Sequence, residues 1–287
     1  GSTSLKKIRF TGDSSVKIGS NAFKDCTALE EITFHEKCSN IEIESNAFEN
    51  TAIKNLNFPA PCTIEMNAFS NCNNLKTLTF ENDAYISLNA FRDCRELTQL
   101  TINSDISLNK HSFLDCQKLN NINIKNHNNL VGSAFNGCVS FAQINETPIF
   151  DENSCDFTAE FKDTVFDNFC ATNDVGFINQ FVLSSAEKIV SENITADMSD
   201  IEKVKILHDW VCEHTSYGND DPNAIEQRND VGVFMGREVV CEGYTRTLNL
   251  LLNAADIETY YVGSSDHAWN IVKVNGNYFH VDATWDD

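Results

Sequence analysis

The chain has 287 residues, 41% of them apolar, enough to bury a sizeable core in each of two domains at roughly 100–200 residues per domain. Its 42 acidic against 21 basic residues leave a formal charge of −21, which repels phosphate backbones and anionic lipid and excludes nucleic acid as a partner. No apolar run approaches the about 20 residues that span a bilayer, and the opening GSTSL reads as an expression scar rather than a signal peptide.

The first half repeats itself. SNAFKDCTALEEITF, SNAFENTAIKNLNF, MNAFSNCNNLKTLTF, LNAFRDCRELTQLTI, KHSFLDCQKLNNINI and GSAFNGCVSFAQIN align on Phe23, Phe48, Phe69, Phe91, Phe113 and Phe135, settling at a step of 22 residues. A short fixed period of this kind predicts a solenoid. Ile32/Phe34, Leu56/Phe58, Leu78/Phe80, Leu100/Ile102 and Ile122/Ile124 are spaced by two, the period of a strand that buries one face. The residues beside them, Thr33, Asn55, Asn57, Thr77, Thr79, Gln99, Thr101, Asn121 and Asn123, form a polar face toward solvent. Ile18, Ile43, Ile64, Ile86, Leu108 and Leu130 precede each phenylalanine by five and predict a second, opposing strand-like layer.

Of eleven cysteines, five share one repeat position: Cys26, Cys72, Cys94, Cys116 and Cys138, with Thr51 in the same register. One position per coil makes one interior column, where a free thiol serves as a small hydrophobe. The pattern resembles the leucine-rich repeats of the BspA-like type over about residues 5–146. The resemblance implies a curved solenoid, contact with other macromolecules through its polar face, and an extracellular or cell-surface address.

After residue 148 the register is lost while aromatics persist, so 149–172 reads as cap and connector and 173–287 as a second domain. Phe177, Phe181 and Ile189 predict one helix, and Ile201, Val204, His208 and Val211 the apolar stripe of another. His208 on that stripe reads as a hydrogen-bonded core histidine. His208 and Cys212, four apart, would supply half a metal site, but no second ligand pair is spaced to complete it, so no metal and no cofactor is expected. The acidic NDDPN at 219–223 lacks EF-hand spacing and reads as a solvated turn rather than a calcium site.

Cys241 stands apart from the column. It opens CEGYTRTLNLLLNAADIE, in which Tyr244, Leu248, Leu251 and Leu252 form a helical stripe, so the thiol sits at a helix start where free N–H groups favour thiolate. Gly243 leaves room for a substrate or a neighbouring backbone. Downstream, HAWNIVKVNGNYFHVDATW reads as a hairpin about the Asn275-Gly276 turn. Counting outward from Val274 opposite Asn277 puts Trp269 opposite Asp282 and Thr284 opposite His267. Asp282 and Asp286 are both diagonal neighbours of His267, and hairpin geometry alone does not choose between them.

These three motifs, C-x-G-Y, H-A-W-N and V-D-x-T-W in that order, resemble the transglutaminase-like (papain-related) superfamily. The resemblance assigns the nucleophile to Cys241, the histidine to His267 and the third member to Asp282. It implies an α+β domain acting on amide or peptide bonds through a thioester, with a protein, peptide or cell-wall substrate, and more sheet beyond residue 287. Tyr244, Gly243 and Trp269 are candidates for the substrate groove, Trp269 serving equally well as core. The competing expectation is a non-catalytic surface adhesin that retains a relic triad.

Overall fold

The computed structural model of the chain describes residues 1–169, 175–219 and 225–287. NDDPN falls almost wholly outside the described residues, as does Cys170. The chain divides into one unit of Gly1–Phe150 with Phe157–Phe177 and a second of Asp151–Asp156 with Ile178–Asp287.

In the first unit each of the first five coils lays down two short strands. The strands are β1 (Lys7–Arg9), β2 (Val16–Ile18), β3 (Glu31–Thr33), β4 (Ile41–Ile43), β5 (Asn55–Phe58), β6 (Cys62–Ile64), β7 (Thr77–Phe80), β8 (Ala84–Ile86), β9 (Gln99–Ile102), β10 (Ile106–Leu108) and β11 (Asn121–Ile124). Then follow β12 (Gln143–Ile144) and β13 (Thr147–Pro148). Equivalent strands pair in parallel without slip, Leu56 beside Leu78 beside Leu100 beside Ile122. The even-numbered strands β2 to β10 form a five-stranded parallel sheet; β5, β7, β9, β11, β12 and β13 form a six-stranded one, in which only β13 runs antiparallel. Period two decides which side chains enter the core: Leu56, Phe58, Leu78, Phe80, Leu100, Ile102, Ile122 and Ile124 are buried. The opposing layer is as expected through Ile86. Leu108 is only half-buried, and Leu130, although buried, follows a single 3-10 turn at His127–Asn129 instead of a strand.

The repeat phenylalanines form a ladder. Phe23, Phe48, Phe69, Phe91, Phe113 and Phe135 stack with centroids 5.1–5.4 Å apart and planes within 1–9° of parallel. The residues two before and two after the first five phenylalanines explain how each tight corner closes. Asn21, Asp25, Asn46, Asn50, Asn67, Asn71, Asn89, Asp93, His111 and Asp115 all hold φ of 56–61°. Asn and Asp enter this left-handed region at less cost than other side-chain-bearing residues, which is why they flank nearly every repeat phenylalanine. With the corners so turned, each ladder N–H from Phe23 to Phe113 reaches a carbonyl of the next coil at 2.8 Å.

The cysteine column has a polar duty as well as a packing one. The thiols of Cys72, Cys94, Cys116 and Cys138 donate to the carbonyls of Phe48, Phe69, Phe91 and Phe113 in the preceding coil, at 3.2–3.4 Å. Thr51 makes the equivalent bond to Phe48 within its own coil. Each described cysteine is a free thiol. Burial pushes the Cys72 thiol up to about 11 and holds Cys94 and Cys138 well above the ordinary thiol value. These sulfurs are therefore poor nucleophiles.

Helix α1 (Lys162–Phe169) follows two two-residue strands, β14 (Phe150–Asp151) and β15 (Asp156–Phe157). Phe169 and Phe177 lie 5.2 Å apart edge to face and both meet Phe141, closing the end of the ladder with aromatic surface.

The second unit contains most of α2 (Gly176–Asn193), then α3 (Asp200–His214), α4 (Asp230–Phe234), α5 (Cys241–Ala254) and an antiparallel sheet ordered β16 (Thr259–Gly263), β17 (Ala268–Val274), β18 (Asn277–Val281). Ser199 and Glu202 form a complete capping box that starts α3. Its buried face is Leu207 and Val211; Val204 and His208 are half-buried and Ile201 is 60% exposed, so the expected stripe is corrected by part of a turn. Helix α5 buries Tyr244, Leu248, Leu251 and Leu252 completely, against Leu207, Val211, Val272 and Val274.

One half-buried carboxylate opposes this packing. Asp230, at the start of α4, accepts from the Val231 N–H at 3.0 Å, yet burial raises its carboxyl above the ordinary value. In the unfolded chain this group ionises near about 4. Above that pH the unfolded state gives up its proton more readily than the folded one, and Asp230 subtracts from stability. Asp230→Asn is therefore expected to raise the urea midpoint at pH 7 relative to wild type. The difference should shrink as pH falls toward about 4; an equal or lower midpoint at pH 7 would contradict it.

Candidate active site

Helix α5 begins abruptly at Cys241. Val240, its N-cap, has extended φ/ψ and no side chain that can cap the first turn. Among the described residues the Cys241 N–H has no acceptor, so that donor remains open beside the sulfur. Gly243 is there for packing: a Cβ would stand 2.6 Å from Val239 Cβ and 2.9 Å from the Gln227 carbonyl. The helix is tied to the sheet by Asn270, buried on β17, whose amide donates to the Thr245 carbonyl at 3.2 Å. Asn270 is the last residue of H-A-W-N and is a positioning residue the sequence reading passed over.

The hairpin register is Val274 opposite Asn277 and Asn270 opposite Val281, the one counted from the turn. Beyond Val281 the chain leaves the ladder. Asp282 Oδ2 meets His267 Nε2 at 2.6 Å while its Oδ1 accepts from the Thr284 N–H at 3.2 Å. Asp286 turns away, to His208 Nε2 at 3.2 Å. Of the two diagonal aspartates, it is thus Asp282 that reaches His267.

His267 enters β17 from a turn closed by Ser264, whose hydroxyl oxygen accepts the His267 N–H at 3.1 Å and whose own N–H donates to the His267 carbonyl at 2.8 Å. The imidazole is flanked by Trp269, with centroids 5.8 Å apart, and by Trp285 at 5.4 Å. Its Nδ1 has no partner among the described residues. Cys241 and His267 both line a cavity of about 290 Å³, completed by Tyr217, Arg228, Glu242, Tyr261 and the Ser264–Asp266 turn. No hydrogen bond joins the Cys241 sulfur to His267. Such bonds are often long before substrate binds and tighten afterwards.

The groove candidates are corrected. Tyr244 is fully buried, its hydroxyl donating to Asp287, and Gly243 is buried against Val239, because both lie on the core side of α5. Trp269 does not line the cavity; its indole N–H donates to His280 Nδ1 at 2.8 Å. The polar residues that do line it come from four separate segments and carry no common spacing. Arg228 lies 3.6 Å from the Glu242 carboxylate. Cys212 and His208 face protein groups: the Cys212 thiol donates to the Ala283 carbonyl at 3.3 Å, and His208 Nδ1 meets Asp209 at 3.1 Å. No group of three metal-capable side chains occurs among the described residues.

A β-solenoid of short repeats joined to an α+β unit with a thiol at a helix start and a histidine–aspartate pair defines a two-part class of protein. The chain belongs to the family described as BspA type leucine rich repeat region, whose model matches residues 1–107, 41–168 and 85–206, and carries a domain of the transglutaminase-like superfamily over residues 187–283. The kyphoscoliosis peptidase of Mus musculus is 26% identical over 125 residues, 36% of this chain and 18% of that protein. The Homo sapiens kyphoscoliosis peptidase is likewise 26% identical, over 124 residues, with the same shares. The chain thus spans less than a fifth of the length of the curated relatives it matches. Among solved structures, a leucine rich cell surface protein from Faecalibacterium prausnitzii A2-165 matches with a TM-score of 0.21 at 16% identity, over 49% of this chain and 59% of that one. A leucine-rich repeat protein from Bacteroides ovatus ATCC 8483 matches with a TM-score of 0.18 at 14% identity, over 50% and 61%.

Proposed function

We propose that the chain is a cell-surface or secreted cysteine hydrolase or acyltransferase acting on amide bonds, with the solenoid as its macromolecule-binding module. The observation that carries this reading is the orientation of His267: Nε2 is committed to Asp282 at 2.6 Å, while the ring borders the cavity that holds Cys241. Asp282 then fixes the tautomer with its proton on Nε2 and leaves Nδ1 as the base. His267 takes the Cys241 proton, and the sulfur attacks the substrate carbonyl. The open Cys241 N–H stabilises the resulting oxyanion. The C–N bond breaks as the imidazolium returns its proton to the departing amine, leaving a thioester. Water, deprotonated by His267, attacks that thioester and releases the acid and the free thiol; an amine in place of water gives transamidation. Hydrolysis is favoured because water is present at about 55 M. The matched relatives are named as peptidases, which supports the same preference.

The test is covalent capture. A peptide vinyl sulfone at pH 6 is expected to label Cys241 in the native protein, leaving the solenoid thiols unmodified because they are buried inside the coils and border no cavity with His267. No adduct should form on Cys241→Ala. Labelling of Cys155 or Cys212 as fast as Cys241 would favour the adhesin with a relic triad.

A further inference from the structure

His208 belongs to no step of the reaction just described, yet it is tied to the segment that carries Asp282. After β18 the chain runs Asp282-Ala283-Thr284-Trp285-Asp286-Asp287 with no further strand. Three contacts outside the sheet hold this run to the helices. The Cys212 thiol on α3 donates to the Ala283 carbonyl at 3.3 Å. His208 Nε2, also on α3, meets Asp286 Oδ2 at 3.2 Å. The Tyr244 hydroxyl on α5 donates to Asp287. Within the run, the Thr284 N–H binds Asp282 Oδ1, and Trp285 packs 5.4 Å from the His267 ring although it is 78% exposed.

Asp282 lies just beyond the last paired residue of β18, so strand pairing does not fix its backbone and these contacts help to set where its carboxylate lies. The contact to His267 depends on a single carboxylate oxygen, and a misplacement of about 1 Å at such a contact can cost on the order of 10²-fold in rate. His208 has the right chemistry for an anchor. Its side chain is 14% exposed, and its two nitrogens face the carboxylates of Asp209 and Asp286. The imidazole thus bridges its own helix to the turn.

We infer that His208 is a positioning residue for Asp282, holding the 282–287 turn through Asp286 so that the carboxylate stays on His267 Nε2. This rests on the reading of Asp282 as the group that orients His267. It also accounts for a histidine on the half-buried stripe of α3 where an apolar residue would otherwise pack.

The experiment is an imidazole NMR titration of His267 in the Cys241→Ala background, with turnover of a peptide amide measured in parallel on the Cys241 protein. In His208→Leu the His267 midpoint is expected to fall by about half a unit or more, since its carboxylate partner is no longer held. The direction is diagnostic. Losing a nearby positive charge, or merely loosening α3, would raise the midpoint or leave it in place. His208→Gln, whose amide takes the place of Nε2 beside Asp286, should restore the wild-type titration. In the Cys241 protein, His208→Leu should lower kcat about tenfold with KM unchanged. If His208→Leu does not fold, His208→Asn, too short to reach Asp286, takes its place. An unmoved or raised His267 midpoint in a folded variant overturns the inference. A lowered midpoint in a protein whose wild type turns over no amide upholds the positioning role and overturns the acyl-transfer reading instead.

Discussion

Cys241→Ala is expected to lower amide turnover by on the order of 10⁴-fold or more, and His267→Ala by a similar factor, with the double variant no worse than either alone. The non-additivity is the informative part. If the thiol is deprotonated by this imidazole, removing either leaves the same residual site, the open Cys241 N–H and the binding cavity, and a second loss has little left to remove. Two residues contributing independently would instead multiply. Stability should not confound the comparison: Cys241 is 8% exposed and borders a cavity, and its sulfur makes no hydrogen bond among the described residues. The melting temperature of Cys241→Ala should thus stay close to wild type. Purified protein with burst and steady-state kinetics on a labelled peptide amide checks the prediction. Equal rates for wild type and Cys241→Ala would remove the catalytic reading.

The largest expected effect on stability lies at the centre of the solenoid. Phe91 is fully buried, stacked between Phe69 at 5.2 Å and Phe113 at 5.3 Å and met edge-on by Phe80 at 6.2 Å. Phe91→Ala deletes a whole ring from a close-packed ladder, and the cost is expected to be about 3–5 kcal/mol. The two flanking rings cannot collapse onto the gap, because the spacing of the coils is set by hydrogen bonds on both sides, Phe69 N–H to Ala90 and Phe91 N–H to Ser112, each at 2.8 Å. Coil stability in a solenoid depends on nearest neighbours, so an interior loss weakens two interfaces at once. Phe23 is only half-buried in the first coil and has one stacking partner, and Phe23→Ala should cost less. Urea unfolding followed by far-ultraviolet circular dichroism separates the two. Equal midpoints for the two variants would contradict the ladder account.

Much of the fold was legible because a repeat averages out local ambiguity. One alternation such as Leu-Thr-Phe is weak evidence for a strand; five of them in register, with a phenylalanine and a small residue at fixed offsets, leave only stacked parallel strands as a way to bury every apolar side chain. The Asn and Asp residues around the phenylalanines were an equally regular signal that sequence reading passed over. Their meaning is a backbone dihedral rather than a contact. Leu130 departs from the expected layer because burial at one position does not require strand geometry.

In the second unit, local chemistry determined what could be counted. The Asn275-Gly276 turn locks the register of β17 and β18, and register decides which side chains share a face, so His267 and its two candidate aspartates were visible from the sequence. The helix start at Cys241 was visible for the same reason: it depends on a few consecutive residues. Tyr244 and Gly243 were misassigned to the groove because a residue on the buried stripe of α5 cannot also face the cavity.

Tertiary structure alone decided the rest. Hairpin counting left Asp282 and Asp286 open and only the family resemblance chose Asp282; the physical ground of that choice is how the chain bends after Val281, in contact with groups on α3 and α5 distant in sequence. The cavity lining, from Tyr217 and Arg228 to the Ser264–Asp266 turn, is likewise assembled from segments with no shared period. Repeats and turns are short-range, so their energetics are written in adjacent residues; a site drawn from separate segments exists only once the long-range packing that brings them together has formed.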